Sequence, residues 1–146
     1  MTQHTLLLQV DGTPGLPPHG QAGIGVVVRG PWGQILSTRC LRAAAQTSFE
    51  AEYQALIAGL RLMRHAYPQA PVRCVSDCQV MIDQLHGRSQ VRAPHLQPLY
   101  AEALALVQQF AQIELVAIPR ELNRLADALA WEALGGRQSL MCFKRL

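Results

Sequence analysis

The sequence predicts an α/β domain whose sheet opens as an antiparallel meander and continues through βαβ crossovers, with helices on its faces. Three observations predict it. Three apolar, β-rich segments follow one another near the N-terminus across short glycine- and proline-bearing links. At Ser48 the apolar period changes from strand-like to helical. Beyond that point short apolar runs alternate with helical ones, the order that crossover units require.

Thr5–Val10 is an apolar run that stops at Asp11-Gly12 and reads as a strand buried on both faces. The stretch from Gly12 to Gly20 holds Pro14, Pro17 and Pro18, too many for a helix or a central strand, and reads as a loop. Gly23–Arg29 is the second strand, Gly30-Pro31-Trp32-Gly33 a hairpin link, and Gln34–Leu41 the third strand. From Ser48 to about His65 the residues Ala51, Ala55, Leu56, Ile57, Leu60 and Met63 recur at helical spacing, and Tyr67-Pro68 ends the helix. Val72–Val75 is a short strand stopping at Ser76-Asp77, and Cys78–Leu85 a short helix closed by His86-Gly87. After a polar loop over Arg88–Ala93, Pro94 opens a helix running through Leu99, Leu104, Val107 and Phe110. Ile113–Ile118 is the last strand, broken by Pro119. A final helix runs from near Asn123 to Leu134 with Leu122, Leu125, Leu129 and Ala133 as its apolar stripe, and Gly135-Gly136 stops it.

At 146 residues, 49% hydrophobic and 16% charged, the chain suits one domain with a core and excludes a disordered or coiled-coil chain. The domain is expected to cover residues 1–136, with Arg137–Leu146 as a tail. No apolar run approaches the roughly 20 residues of a membrane span, and Met1–Gln9 lacks the order of a secretory leader, so a cytoplasmic location is expected. Net charge is +3, and only Lys144 among the thirteen basic residues is lysine. These cations are scattered, not gathered into a DNA-binding arm. Cys40, Cys74, Cys78 and Cys142 do not follow zinc spacing and read as reduced, mostly buried thiols. Trp32 and Trp131 read as packing residues, and the five histidines as surface or packing groups.

Four acids stand where acids are unexpected. Asp11 and Asp77 each follow an apolar strand, and two central parallel strands would deliver both to one sheet edge, where open α/β sheets bind ligands. Glu52 lies three residues before Ala55 and four before Leu56, so it extends the apolar stripe, whereas Glu50 shares a wetter column with Gln54 and Arg61. Asp127 follows Asn123 by one helical turn. Carboxylates sharing a pocket repel one another, and a hard dication such as Mg²⁺ or Mn²⁺ relieves the repulsion. Two such ions about 4 Å apart activate water and stabilise a leaving oxygen in phosphodiester cleavage.

The segments Val10-Asp11-Gly12-Thr13, Ala51–Leu60 (with Glu52), Ser76-Asp77-Cys78-Gln79 and Pro119–Ala130 (with Asn123 and Asp127) resemble, in order and separation, the type 1 ribonuclease H family. The likeness extends from the first strand to near Leu134. It implies a ribonuclease H-like five-stranded mixed sheet, three antiparallel strands then two parallel, with helices on both faces. It also implies metal-dependent cleavage of the RNA strand of RNA–DNA hybrids. Asp11, Glu52, Asp77 and Asp127 would be the catalytic, metal-holding carboxylates for two Mg²⁺ or Mn²⁺ ions, with Asp11 bridging both. Contacts to the hybrid are expected from Gly12, Thr13, Thr47, Ser48, Gln79, Arg88 and Asn123, in a monomer or weak dimer that does not engage membranes.

The chain departs from the family pattern in four places. Thr47-Ser48-Phe49 stands where many members have Thr-Asn-Asn, and Pro17-Pro18-His19-Gly20 lacks the usual loop asparagine. No histidine occurs in Val116–Pro119, and His86–His95 carries only Arg88 and Arg92 where some members carry a basic protrusion. Two further readings stand beside the hybrid nuclease: a module of the same fold that binds nucleic acid or a protein without cutting, and a nuclease acting on duplex RNA or DNA.

Overall fold

Leu6–Pro14 (β1), Gln21–Arg29 (β2) and Ile35–Ala44 (β3) form the antiparallel meander of a computed structural model that describes residues 4–15 and 20–135. Ser48–Ala66 (α1), Val72–Ser76 (β4), Gln79–Leu85 (α2), Gln97–Val107 (α3), Ile113–Ala117 (β5) and Arg124–Ala133 (α4) follow, with a 3₁₀ turn at Arg120–Leu122. The five strands lie in the order β3-β2-β1-β4-β5. β1 pairs antiparallel with β2 and parallel with β4, and β5 extends the parallel half. This is the mixed sheet that the sequence predicts. The tail Arg137–Leu146, Cys142, Gly136, His19 and the Pro17-Pro18 part of the first loop lie outside the described residues.

α1 covers one face of the sheet. Tyr53, Leu56, Ile57, Leu60 and Met63 form a core with Leu8 and Val10 of β1 and Ile24 and Val26 of β2, all at most 2% exposed. Burying each such large side chain contributes about 1.5–3 kcal/mol, which anchors α1 to the central strands. Its start is fixed by a reciprocal cap: the Glu50 N–H donates to Thr47 Oγ1 at 3.1 Å, and Glu50 Oε2 accepts the Gln46 N–H at 3.2 Å. Glu50 is therefore occupied at the helix end, which leaves Glu52 to face inward.

α4 lies on the other face, over β2. Its buried residues are Ala126, Ala130 and Glu132, preceded by the fully buried Asn123. Leu122 is 65% exposed and Leu125, Leu129 and Ala133 are only half-buried, so the expected leucine stripe is corrected. The reason is distance. A Cβ on Gly25 would collide with the Ala126 carbonyl, and one on Gly23 with the Ala130 carbonyl, so helix and strand meet backbone to backbone. Leucines do not fit such an approach. Trp131, next to the inward-facing Ala130, is turned outward, and Trp32 sits exposed at the hairpin tip, tilted against the His4 ring; neither is a core residue.

Three smaller corrections concern ends and thiols. β1 does not stop at Asp11-Gly12, because β2 keeps pairing with it as far as Pro14 opposite Ala22, although β4 has already left at Gln9 opposite Val75. α3 begins at Gln97 and not Pro94: Leu96 and Gln97 donate to Ala93 and Pro94 in tight i→i+3 turns, and Phe110 falls in the turn after the helix. Of the described thiols only Cys74 is fully buried, Cys40 and Cys78 being half-buried.

Candidate active site

The strand alternation of β1 divides its side chains between two worlds. Leu8 and Val10 face α1, while Gln9, Asp11 and Thr13 form a buried polar stripe toward the opposite face. Asp11 lies just past the last β1–β4 pair, at the carboxyl end of the parallel strands. Asp77 immediately follows β4 there. Glu52 arrives from α1 because Gly12 lets the helix in: any Cβ at Gly12 would strike the Ala51 carbonyl. In its absence, the Gly12 N–H donates to Glu52 Oε1 at 2.8 Å.

Among the described residues, Asp11, Glu52 and Asp77 form one cluster of potential ligands, with one oxygen from each lying within 4.8 Å of the others. Asp127 stands outside that trio, against the Asp11 carboxyl. Burial, then the charge of Glu52, push Asp11 up to about 10, with Asp127 and Asp77 adding to the shift. Burial likewise raises Glu52 to about 7, opposed first by the Gly12 N–H. The crowding expected from the sequence is thus present among Asp11, Glu52 and Asp77, and it disfavours full ionisation of Asp11 and Glu52.

The connection from β5 to α4 closes the site. Asn123 Nδ2 donates to the Val10 carbonyl at 2.9 Å and lies 3.5 Å from Asp77 Oδ1. Its Oδ1 is buried with no hydrogen-bond partner. Arg120 Nε reaches Asp77 Oδ2 at 3.4 Å from a side chain 81% exposed, and Asp77 raises the Arg120 pKa in turn. Arg120 was missed by the sequence reading. Its signal was a cation at the second position of the Pro119–Ala130 segment, but only the 3₁₀ turn brings it round to Asp77.

The remaining expected site residues are dispersed around the acids. Thr13 is buried in β1, Thr47 caps α1, and Ser48 is exposed in the first turn of α1. Gln79 and Arg88 are both exposed and both tied to Asp83, at 2.9 and 3.0 Å. Asn123 is fully buried. Of the described histidines, all four are exposed, and His95 lies 3.6 Å from Glu50. A cleft of about 670 Å³ opens elsewhere, lined by the starts of β1, β4 and β5 with Arg29, Arg73 and Glu114. The acids do not line it, and one glutamate between two arginines offers no ligand set for a cation.

Residues 10–133 match the family described as reverse transcriptase-like. The bifunctional protein Rv2228c of Mycobacterium tuberculosis is 34% identical over 131 residues, 88% of this chain and 35% of the relative. The structure of its N-terminal ribonuclease H domain, fused to maltose-binding protein, superposes with a TM-score of 0.77 at 32% identity, covering 86% of this chain and 95% of that one. Ribonuclease HI of Halobacterium salinarum is 31% identical over 115 residues, 79% of this chain and 57% of the relative. LC11 ribonuclease H1, from compost, was solved with an RNA/DNA hybrid; it superposes with a TM-score of 0.80 at 28% identity, covering 89% of this chain and 96% of that one. The chain spans 35% of the mycobacterial relative's length and 57% of the halobacterial one's.

Proposed function

The chain belongs to the reverse transcriptase-like family, on the ribonuclease H fold, and from that premise we propose that it is a divalent-metal endonuclease cutting the RNA strand of RNA–DNA hybrids. The observation that carries this reading is the meeting of Asp11, Glu52 and Asp77 within 4.8 Å at the carboxyl end of the parallel strands. The donor set fits a hard cation: three carboxylates, a fourth in Asp127 against Asp11, and the unpartnered Oδ1 of Asn123 nearby offer only oxygen. Asp11, Glu52, Asp77 and Asp127 would hold two Mg²⁺ or Mn²⁺ ions. When bound, the ions supply activation of water and compensation of charge on the leaving oxygen.

The chain's own residues do the rest. The Gly12 N–H fixes the Glu52 carboxylate, and Asn123 fixes Asp77 against β1. Ser48, Gln79 and Arg88 are exposed on the elements that carry Glu52 and follow Asp77, and are assigned to the sugar–phosphate backbone, with Gly12, Thr13 and Thr47 beside them. Tethering of Gln79 and Arg88 by Asp83 reduces the side-chain freedom lost on binding. The working unit is taken as residues 1–136, acting as a monomer or weak dimer in the cytoplasm.

The test is parallel digestion of matched RNA–DNA, RNA–RNA and DNA–DNA duplexes with and without Mn²⁺. Mn²⁺-dependent cutting confined to the hybrid is expected. Asp77→Asn is expected to keep the fold and lose hybrid cleavage by more than about a hundredfold, beyond the loss seen for a mere supporting group. Cleavage at the parental rate in that variant removes the assignment, and hybrid binding without cutting by the parent favours the non-cleaving module.

A further inference from the structure

We propose that Asn123 is the positioning residue of the acidic site, setting three of its four carboxylates relative to one another; the inference rests on the metal-site reading above. Asn123 closes the 3₁₀ turn and opens α4, the position where an asparagine side chain ordinarily caps its own helix. Here the side chain makes no such cap. Its Nδ2 instead donates to the carbonyl of Val10, the residue before Asp11, and approaches Asp77 Oδ1. Its main-chain carbonyl accepts the Asp127 N–H at 3.1 Å. One side chain and one carbonyl therefore connect β1 beside Asp11, the residue after β4, and the first turn of α4.

Other ties cross this corner, Gln9 Nε2 donating to the Leu122 carbonyl at 3.3 Å and Arg120 reaching Asp77, but each joins only two of the three elements. The register of β1 with β4 ends at Gln9 and Val75, before either aspartate. The main ties of α4 to the sheet run to β2 and β3, by close approach at Gly23 and Gly25 and by bonds from Cys40 Sγ and Arg42 Nε to the Leu129 and Ala133 carbonyls. A fully buried amide that spans the gap supplies the missing constraint. Its complete burial also argues against a direct contact to a polymeric substrate, the role expected for it from the sequence.

The experiment compares Asn123→Ala and Asn123→Leu with the parent, in the whole chain. Mn²⁺ uptake is titrated calorimetrically without nucleic acid, kcat and KM are measured on hybrid, and the thermal midpoint is recorded. Leu56→Ala serves as the reference that loses stability from the other face of the sheet. Either Asn123 variant is expected to weaken Mn²⁺ binding by about 10–100-fold and to lower kcat similarly, with KM within about twofold. Leu56→Ala leaves the Mn²⁺ affinity unchanged. Asn123→Leu keeps the size of the side chain but has no donor for Val10 and adds no charge, so it decides the matter if the alanine variant does not fold. If neither folds, the Asn123 side-chain amide resonances of the parent are followed during Mg²⁺ titration, and shifts that saturate with metal uptake are expected. Parental Mn²⁺ affinity and kcat in a folded variant, a rise in KM alone, or amide resonances that ignore Mg²⁺ overturn the proposal. A parent that takes up Mn²⁺ yet spares the hybrid overturns the cleavage reading and leaves the calorimetric comparison to decide for Asn123.

Discussion

The two faces of the sheet are built from opposite materials. Toward α1, β1 presents Leu8 and Val10 to Tyr53, Leu56, Ile57 and Leu60, a layer of large apolar side chains. Toward α4 it presents Gln9, Asp11 and Thr13, and the neighbouring β2 presents Gly23 and Gly25 to alanines. Large side chains pack with tolerance, because a layer of rotamers can readjust by small amounts. Two backbones in direct contact cannot. The difference teaches that the first face supplies stability and the second position, except at Gly12, where α1 too meets the sheet backbone to backbone and brings in Glu52.

Removing material from the first face breaks this comparison most strongly in stability. Leu56→Ala is expected to cost about 2–5 kcal/mol in denaturant unfolding while Mn²⁺ affinity and kcat stay near the parent's. A matching loss of Mn²⁺ affinity would show that the α1 face sets position as well. Adding a single methyl to the second face has the opposite signature. Gly25→Ala drives a Cβ into the Ala126 carbonyl and is expected to cost about 1–3 kcal/mol. Cleavage should nevertheless fall by about a hundredfold, the price of roughly an ångström of misplacement at a reacting site. Parental cleavage with lowered stability would erase the distinction between the faces.

The smallest effect sharpens the comparison where the two faces meet. Glu52 comes from the α1 side and is raised from 4.5 to about 7, and Asp11 from 3.8 to about 10. An acid with a raised folded pKa stabilises the fold fully below its unfolded value and loses that contribution as pH climbs through the folded one. The thermal midpoint of the cation-free protein should therefore decline from about pH 4 to about 10 through Asp11, with Glu52 adding to the decline between pH 4.5 and about 7. Saturating Mn²⁺ should flatten the decline, because the ion replaces the proton. Asp11→Asn should flatten it without metal. A midpoint that rises over this range in the cation-free protein contradicts the crowding.

Much of this was legible before any coordinates. The placing of Asp11 and Asp77 just beyond the apolar runs of β1 and β4, and the stripe carrying Glu52, follow from local pattern, since periods of two and 3.6 report directly which side chains turn inward. The continuation of β1 to Pro14 does not, because it depends on pairing with β2. The α4 stripe was not legible, because its alanines are ordinary helix formers and only the glycines opposite them, a hundred residues earlier in the chain, demand small partners. Arg120 escaped for a related reason: a 3₁₀ turn of three residues has no periodicity to detect. Asp127 was placed correctly in its helix, yet its standing beside Asp11 and outside the trio depends on how closely α4 approaches β2.

The amino-acid sequence by itself determined which elements form, in what order, and which four acids stand beside or within their apolar patterns, because these depend on near neighbours along the chain. Tertiary structure alone decided which acids share one cluster, that Asn123 turns away from its own helix to join β1 and Asp77, and that two tryptophans face solvent. Those outcomes depend on the separation between backbones distant in the chain, and that separation is set by the presence or absence of a single Cβ at Gly12 and Gly25.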